Sequence, residues 1–324
     1  MQNSRLNLKT VLIPLLILLG FLLPFIWDHP YVLHVLINIF IWCILTLGIR
    51  IVLLVGHLNA AQAGFMGMGA YMSALMAMKL GWSFWLCMPI AGLITAMLAT
   101  CIGFPTLRIK GAYFVMVTFA VTEVFRHIWM MWKDLFGGPQ GLLGIPRPDP
   151  IHMAGWTIAF TTKVPFYYLA LILFLITLLV ARRVDVSRFG MTLRAIQQAD
   201  LLAESVGVNT IKYKVIAFAI GSFFAGIAGA FWAHYYAYAS PWDFGWMSSL
   251  HMVMYAVIGG TGSVLGPIVG CSVLLGLEEI LRPFEEYVPV LFGATLIIVL
   301  RFLPGGLITI PERIRFLIQR RSGE

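Results

Sequence analysis

Apolar runs recur from one end of this chain to the other, and a single soluble core does not absorb that many. Mean hydropathy is +0.90. Only 11% of the residues are charged, where soluble domains carry about 25%. The 324 residues therefore read as one all-α polytopic membrane domain spanning 1–324, not as two soluble units. Candidate segments fall at about 11–27, 31–53, 60–78, 84–104, 112–132, 165–181, 214–237, 249–261, 264–281 and 287–303. The run after Arg5 and Lys9 is too long for a signal h-region and lacks a small-x-small cleavage pattern before Trp27. It reads as a retained first helix.

The net charge of +8 follows membrane sidedness and is no nucleic-acid footprint. Threading ten segments with the N-terminus inside puts Arg5, Lys9, Arg50, Arg108, Lys110, Arg313, Arg315, Arg320 and Arg321 on the inner side, with six residues of a central island. Lys79, Lys133, Arg147, Lys163 and Arg282 fall outside, and Arg126 and Arg301 within segments. This bias predicts cytoplasmic N- and C-termini. Eight spans with two re-entrant pieces keep the same sidedness. Trp27, Trp82, Trp85, Trp132, Trp242 and Trp246 lie near the predicted boundaries, as interfacial anchors do.

The island is 182–214, with Arg182, Arg183, Arg188, Arg194, Lys212 and Lys214 among the 22 basic residues of the chain. Within it Gly190 to Val206 reads as one amphipathic helix. Ala195, Ile196, Ala199, Leu202, Ala203 and Val206 share a face, and Arg194, Gln197, Gln198, Asp200, Glu204 and Ser205 take the other. Gly207 stands where a left-handed C-cap would end it. Two readings stay open on these grounds: a solvated loop that anchors topology, or a lever that a cytoplasmic partner grips.

Small residues recur at every fourth position in Gly69, Ser73, Ala77, in Gly221, Ala225, Gly229 and in Gly262, Gly266, Gly270, a pattern of closely packed membrane helices. Two further stretches, Gly56 to Gly69 and Gly259 to Gly266, break apolar runs with Asn59, Gln62, Thr261 and Ser263. Irregular polar backbone at membrane depth survives only where protein or water satisfies its amides. One such stretch in each half points to a substrate route at a repeat interface, with the halves inverted about the 133–164 outside loop. That route would include Asn59, Gln62, Gly64, Gly67, Glu123, Gly259, Gly260, Gly262 and Ser263. The outside loop's Phe136 to Pro146 run is too rich in glycine and proline for helix or strand.

Glu123 and Arg126 stand three apart in an apolar segment and can pair, either as a structural ion pair or as a polar element of the route. Glu278, Glu279, Glu285 and Glu286 flank Arg282 as a wetted helix end. Cys43, Cys87, Cys101 and Cys271 have no CxxC spacing and read as packing residues. His57, His127, His234 and His251 are scattered, so no metal or proton relay is expected. There is no GxxxxGK[ST] phosphate loop, nucleophile elbow or HExxH, so neither cofactor nor catalytic residue is expected.

Several motifs occur in order between about residues 45 and 308. Gly56-His57-Leu58-Asn59-Ala60-Ala61-Gln62-Ala63-Gly64-Phe65-Met66-Gly67-Met68-Gly69-Ala70-Tyr71 comes first. Leu107-Arg108-Ile109-Lys110-Gly111-Ala112-Tyr113-Phe114, Val117-Thr118-Phe119-Ala120-Val121-Thr122-Glu123 and Gly137-Gly138-Pro139-Gln140-Gly141-Leu142 follow. Then come Ser187-Arg188-Phe189-Gly190, Leu193-Arg194-Ala195-Ile196, Ala203-Glu204-Ser205-Val206-Gly207-Val208-Asn209, Ile258-Gly259-Gly260-Thr261-Gly262-Ser263-Val264-Leu265-Gly266-Pro267 and Phe302-Leu303-Pro304-Gly305-Gly306-Leu307. Together they resemble branched-chain amino acid ABC transporter permeases of the LivM/LivH type, with spacing closer to LivM. Asn59-Ala60-Ala61 departs from the family's usual Ser-Leu-Gly, which leaves urea and short-chain amide permeases, sharing most of these motifs, as an alternative.

The resemblance implies a non-enzymatic permease subunit of the bacterial inner membrane. Its expected partners are a homologous LivH-like permease, two cytoplasmic ABC ATPases and a periplasmic substrate-binding protein. The island becomes the expected ATPase-coupling helix, with Arg188, Gly190, Arg194, Ile196, Ala203, Glu204 and Gly207 as its candidate residues. A reading from another class is an ion-coupled secondary transporter or channel, for which Glu123 is the candidate intramembrane carboxylate.

Overall fold

The structure, a computed structural model, describes residues 29–281 apart from 154–155, together with 20, 21, 23, 24, 290, 293, 294, 297, 301 and 305–309. The membrane helices are α1 (Pro30–Leu53), α2 (Gln62–Leu80), α3 (Phe84–Thr106), α4 (Ala112–Met131) and α5 (Lys163–Val186). Two short helices follow, α6 (Arg188–Gln198) and α7 (Asp200–Ser205), and then α8 (Thr210–Tyr236), α9 (Trp246–Gly259) and α10 (Leu265–Leu281). Each segment expected between 31 and 281 meets a helix. Those at 11–27 and 287–303 fall mostly outside the described residues, and Arg282, Glu285 and Glu286 lie outside them.

Among the described residues, α1, α3, α4, α5 and α8 are long and apolar enough to cross a membrane. Helices α2, α9 and α10 have 19, 14 and 17 residues. At 1.5 Å per residue the last two reach only about 21–26 Å, short of a hydrocarbon layer of about 30 Å. The chain is thus an all-α multi-pass membrane protein.

Helix α8 is the axis of the bundle and packs along α3, α2 and α1. Its glycines explain the closeness: a Cβ on Gly221 would meet the Gly48 carbonyl, and one on Gly229 the Met66 carbonyl. Gly69 of α2 lies against the Gly226 backbone in the same way. The predicted small-residue stripe on α8 is therefore a true contact seam. In the third stripe Gly266 and Gly270 press on Gly259, while Gly262 faces open space.

At one end the 133–164 loop folds back over the bundle. His234 of α8 binds Pro146 O through Nδ1 at 2.6 Å and Ser73 Oγ of α2 through Nε2 at 2.8 Å. The loop is more regular than its composition predicts. Gly138–Gln140 forms a 3-10 turn, and β1 (Leu142–Leu143) pairs antiparallel with β4 (Tyr238–Ala239), while β2 (Ile151–Met153) and β3 (Trp156–Ile158) make a small hairpin. Gly137, Gly138, Gly141 and Gly144 all take positive φ, so the glycines that spoil helix and strand propensity are what let the loop turn into these pairings.

Candidate functional site

The opposite end carries the predicted island. Helix α5 runs out at Val186, and Ser187 Oγ accepts from Gly190 N at 3.2 Å to cap α6. Gly190 is required there, since a Cβ would strike the Val184 carbonyl. Leu193 and Ile196 of α6, with Ala203 of α7, are buried among Ile51, Leu54, Val55, Val184 and Ala217. The single amphipathic helix expected over Gly190–Val206 is two helices broken at Ala199, where φ is −154° and ψ 87°. Asp200 explains the break. Its Oδ2 lies 2.8 Å from Nζ of Lys214 at the foot of α8 and 2.8 Å from Nζ of Lys110 in the α3–α4 loop. A continuous helix could not keep the carboxylate on both cations and Leu193 and Ile196 in their pocket. Burial alone would raise the Asp200 carboxyl, but the two lysines hold it below its ordinary range, and the same bond raises the Lys110 ammonium.

The expected apolar face breaks with the helix. Ala203 stays buried, but Leu202 and Val206 join Leu201 at 66%, 74% and 76% exposure, beside Met191 on α6. Glu204 is exposed and accepts from Thr210 Oγ1 at 2.6 Å, and Gly207 sits at φ +87° as the predicted left-handed stop. Arg188 is exposed. Arg194 binds Asp185 of α5 through Nη2, and that same carboxylate oxygen takes Nη2 of Arg50 at 2.9 Å. The sequence reading missed Asp185 and treated Arg50 as a loop cation. The signal available was an arginine inside an apolar run, which demands a buried partner.

The first glycine-rich interruption is exposed at Gly56 and Leu58 but closely packed from Asn59 on. Asn59 Nδ2 donates to Gln62 Oε1 at 3.0 Å, and Asn59 Oδ1 accepts from Ala61 N at 2.9 Å. Gln62 Nε2 reaches the carbonyls of Leu45 and Gly221 at 3.4 and 3.1 Å. Thr118 and Thr122 of α4 hold Ala60 N and Ala60 O, and Ser249 of α9 accepts from Ala63 N at 2.9 Å. Because Leu45 is eight residues before the end of α1, α2 begins roughly 12 Å inside the bundle. Asn59, Gln62, Gly64 and Gly67 are all buried; a Cβ on Gly64 would press on Thr122 and Phe125, and one on Gly67 on Trp129 and Phe244.

The second interruption is built differently. Gly260 takes φ +105°, Ser263 Oγ accepts from Gly266 N at 3.2 Å, and the Thr261 carbonyl accepts from Arg50 Nε at 3.2 Å. Gly259 is buried against Gly266, while Thr261 and Gly262 are exposed. Contact with Arg50 places this turn at the same end of the bundle as the 54–61 loop. Glu123 pairs with Arg126 at 2.5 Å, and the Arg126 guanidinium lies 5.3 Å from the Trp242 ring centroid.

Residues 31–300 match the family described as branched-chain amino acid transport system, permease component. The high-affinity branched-chain amino acid transport system permease protein LivM of Salmonella typhimurium is 31% identical over 287 residues, 83% of this chain and 68% of that protein. LivM of Escherichia coli matches over the same length at 31%. The E. coli permease protein LivH is 29% identical over 196 residues, 60% of this chain and 59% of its own. No solved structure matches the chain significantly.

Proposed function

This chain belongs to the branched-chain amino acid transport permease family, and we propose that it is the membrane subunit of a binding-protein-dependent ABC importer of the inner membrane. It works beside a LivH-like permease, two cytoplasmic ATPases and a periplasmic binding protein, and carries branched-chain amino acids. Urea or short-chain amides are the alternative cargo that the Asn59-Ala60-Ala61 departure keeps in view. Both termini lie in the cytoplasm.

One observation supports the coupling role most: α6 and α7 bury one side against the bundle and leave Met191, Leu201, Leu202 and Val206 bare. Exposed apolar side chains on a short amphipathic pair, held to the bundle by ionic bonds at Asp185 and Asp200, make a surface that another protein's groove can cover. Arg188, Arg194 and Glu204 frame it, and Gly190, Ile196, Ala203 and Gly207 give it its shape. Gly64 and Gly67 are closed here by Thr122, Phe125, Trp129 and Phe244, so the solute route opens only when α4 and α9 draw away from α2. It then passes Gly64, Gly67 and Glu123, with Asn59 and Gln62 on one side and Gly259, Gly260, Gly262 and Ser263 on the other. Glu123 argues against an ion-coupled carrier, since Arg126 already neutralises it.

Leu202→Asp in the reconstituted complex is the test. Binding-protein-stimulated ATP hydrolysis and uptake should both fall at least about tenfold while the chain still inserts and folds, because a charge replaces an apolar anchor at a partner surface. Uptake by this chain alone, driven by an ion gradient without ATP, would sink the proposal.

A further inference from the structure

Resting on the coupling reading above, we propose that Arg50 is the positioning residue through which movement of α6 reaches the glycine turn 259–266. Arg50 is wholly buried near the end of an apolar helix, a place where a charge persists only if it is paired. Its guanidinium is shared between two acceptors on different elements. Nη2 donates to Asp185 at 2.9 Å and Nε to the Thr261 carbonyl at 3.2 Å. Asp185 in turn receives Arg194 from the middle of α6 on the same oxygen. The path is α6, Asp185, Arg50, turn.

Three properties make this path a transmitter and not only a staple. First, the guanidinium is planar, so its two donors cannot shift independently; dragging Asp185 rotates the plane and pulls on Thr261. Second, the path is asymmetric. The Arg194 side chain is 40% exposed, where a cytoplasmic partner can reach it, while Arg50 at 1% is sealed from water that would dissolve the linkage. Third, the receiving turn is open at its tip, although Gly260 at its base lies against Gly305 and Ile308. Thr261 and Gly262 are exposed, and Gly259, Gly266 and Gly270 meet backbone to backbone, with no side chains interlocked between them. Arg50 Nη1 is also buried without a hydrogen-bond partner among the described residues. A donor left open in one arrangement is available to an acceptor in another, as a two-state element requires.

The experiment uses the complete transporter in proteoliposomes, with Arg50→Lys in this chain and a spin label at Gly262→Cys. Lysine keeps the charge but offers a single point donor. Solute moved per ATP should fall about tenfold, the cost of a lost charge-assisted bond, while stimulated hydrolysis stays near the native rate. The label at 262 should stop responding to nucleotide. A cross-link from Leu202→Cys to the ATPase should form as in the native complex, which a folding defect would prevent. Native solute-to-ATP stoichiometry with a responsive label overturns the inference. No cross-link in the native complex overturns the coupling reading instead, and this inference with it. Should Arg50→Lys fail to assemble, Asp185→Asn, which keeps an acceptor oxygen facing Arg50 but removes its charge, decides by the same readouts, with a smaller expected loss.

Discussion

Two glycine-rich stretches interrupt the apolar helices, and they are held by opposite means. The first, leading into α2, is locked by side chains. Asn59, Thr118, Thr122 and Ser249 occupy its backbone groups, Gln62 ties Asn59 to the Leu45 and Gly221 carbonyls, and every one of these side chains is buried. The second, between α9 and α10, is held mostly by backbone meeting backbone, at Gly266 and Gly270 and at Gly305 and Gly306, and by one arginine, with Thr261 and Gly262 open. The difference teaches where each can move. A hub satisfied by neutral hydrogen bonds from several helices has a single low-energy arrangement, and shifting it unmakes many bonds together. A seam of glycine on glycine has no interlocked side chains, so sliding leaves its contacts much the same. The first is a fixed frame; the second is where a pull can be absorbed.

The sharpest way to break this contrast is to give the seam a side chain. Gly259→Leu drives carbon into the Gly266 carbonyl. The seam cannot be repacked by rotamer changes alone, so the loss should exceed about 3 kcal/mol, beyond the ordinary overpacking range. The purified chain should be largely aggregated by size-exclusion in detergent; a monodisperse variant with native melting would show that the seam is not tight. Next in size is Gln62→Leu in the frame. It removes the donor to the Leu45 and Gly221 carbonyls and the acceptor for Asn59. Hydrogen bonds between membrane helices average about 0.6 kcal/mol, so three together give about 1–2 kcal/mol, read as a drop in thermal midpoint without loss of the helical signal.

A third, smaller effect separates the neutral frame from the charged helices beneath it. The Asp200 carboxyl is held low, so its contribution is complete above the ordinary carboxylate value of about 3.9 and disappears as pH falls through its lowered value. Lys110 is raised, so its side of the bond is complete below about 10.4 and is lost only as pH rises through the raised value. Between those limits α7 should be indifferent to pH. On acidification to about pH 2.5, amide exchange at 200–205 should quicken roughly two- to fivefold beyond the intrinsic change, while amides of the Asn59–Gln62 frame should hold. Equal loosening of both would mean that the frame depends on charge after all.

Much of this was legible in the sequence because the features are local. Helix positions follow from apolar runs, the Gly207 stop from its place after a periodic stretch, and the Gly221, Ala225, Gly229 seam from its spacing. Glu123 and Arg126 are three residues apart, so their pairing needed no knowledge of the fold. What escaped depends on contacts between distant segments. Asp200 breaks the predicted helix only because Lys110 and Lys214 arrive from either side. Arg50 is a loop cation by charge counting and becomes a buried hub only when α5 brings Asp185 against it. Likewise Asn59 and Gln62 fit a lined route as well as a packed frame, and only Leu45, Thr118 and Gly221 decide how they stand in this arrangement.

The smallest expected change is also the most discriminating within the second stretch. Gly262 lies three residues from Gly259, yet a Cβ there meets nothing within 4 Å, and its φ is not among the positive values taken by Gly260 and nine other glycines. Alanine at this position adds no collision and no left-handed strain, and it slightly stiffens the unfolded chain. Gly262→Ala should therefore shift stability by no more than about 0.5 kcal/mol in either direction. Transport is the finer readout. If the turn yields by sliding at the Gly259–Gly266 seam, Gly262→Ala leaves uptake near native. If it yields instead by φ rotation at its exposed tip, the same alanine slows uptake severalfold with no change in melting, and the seam is then a fixed point like the frame.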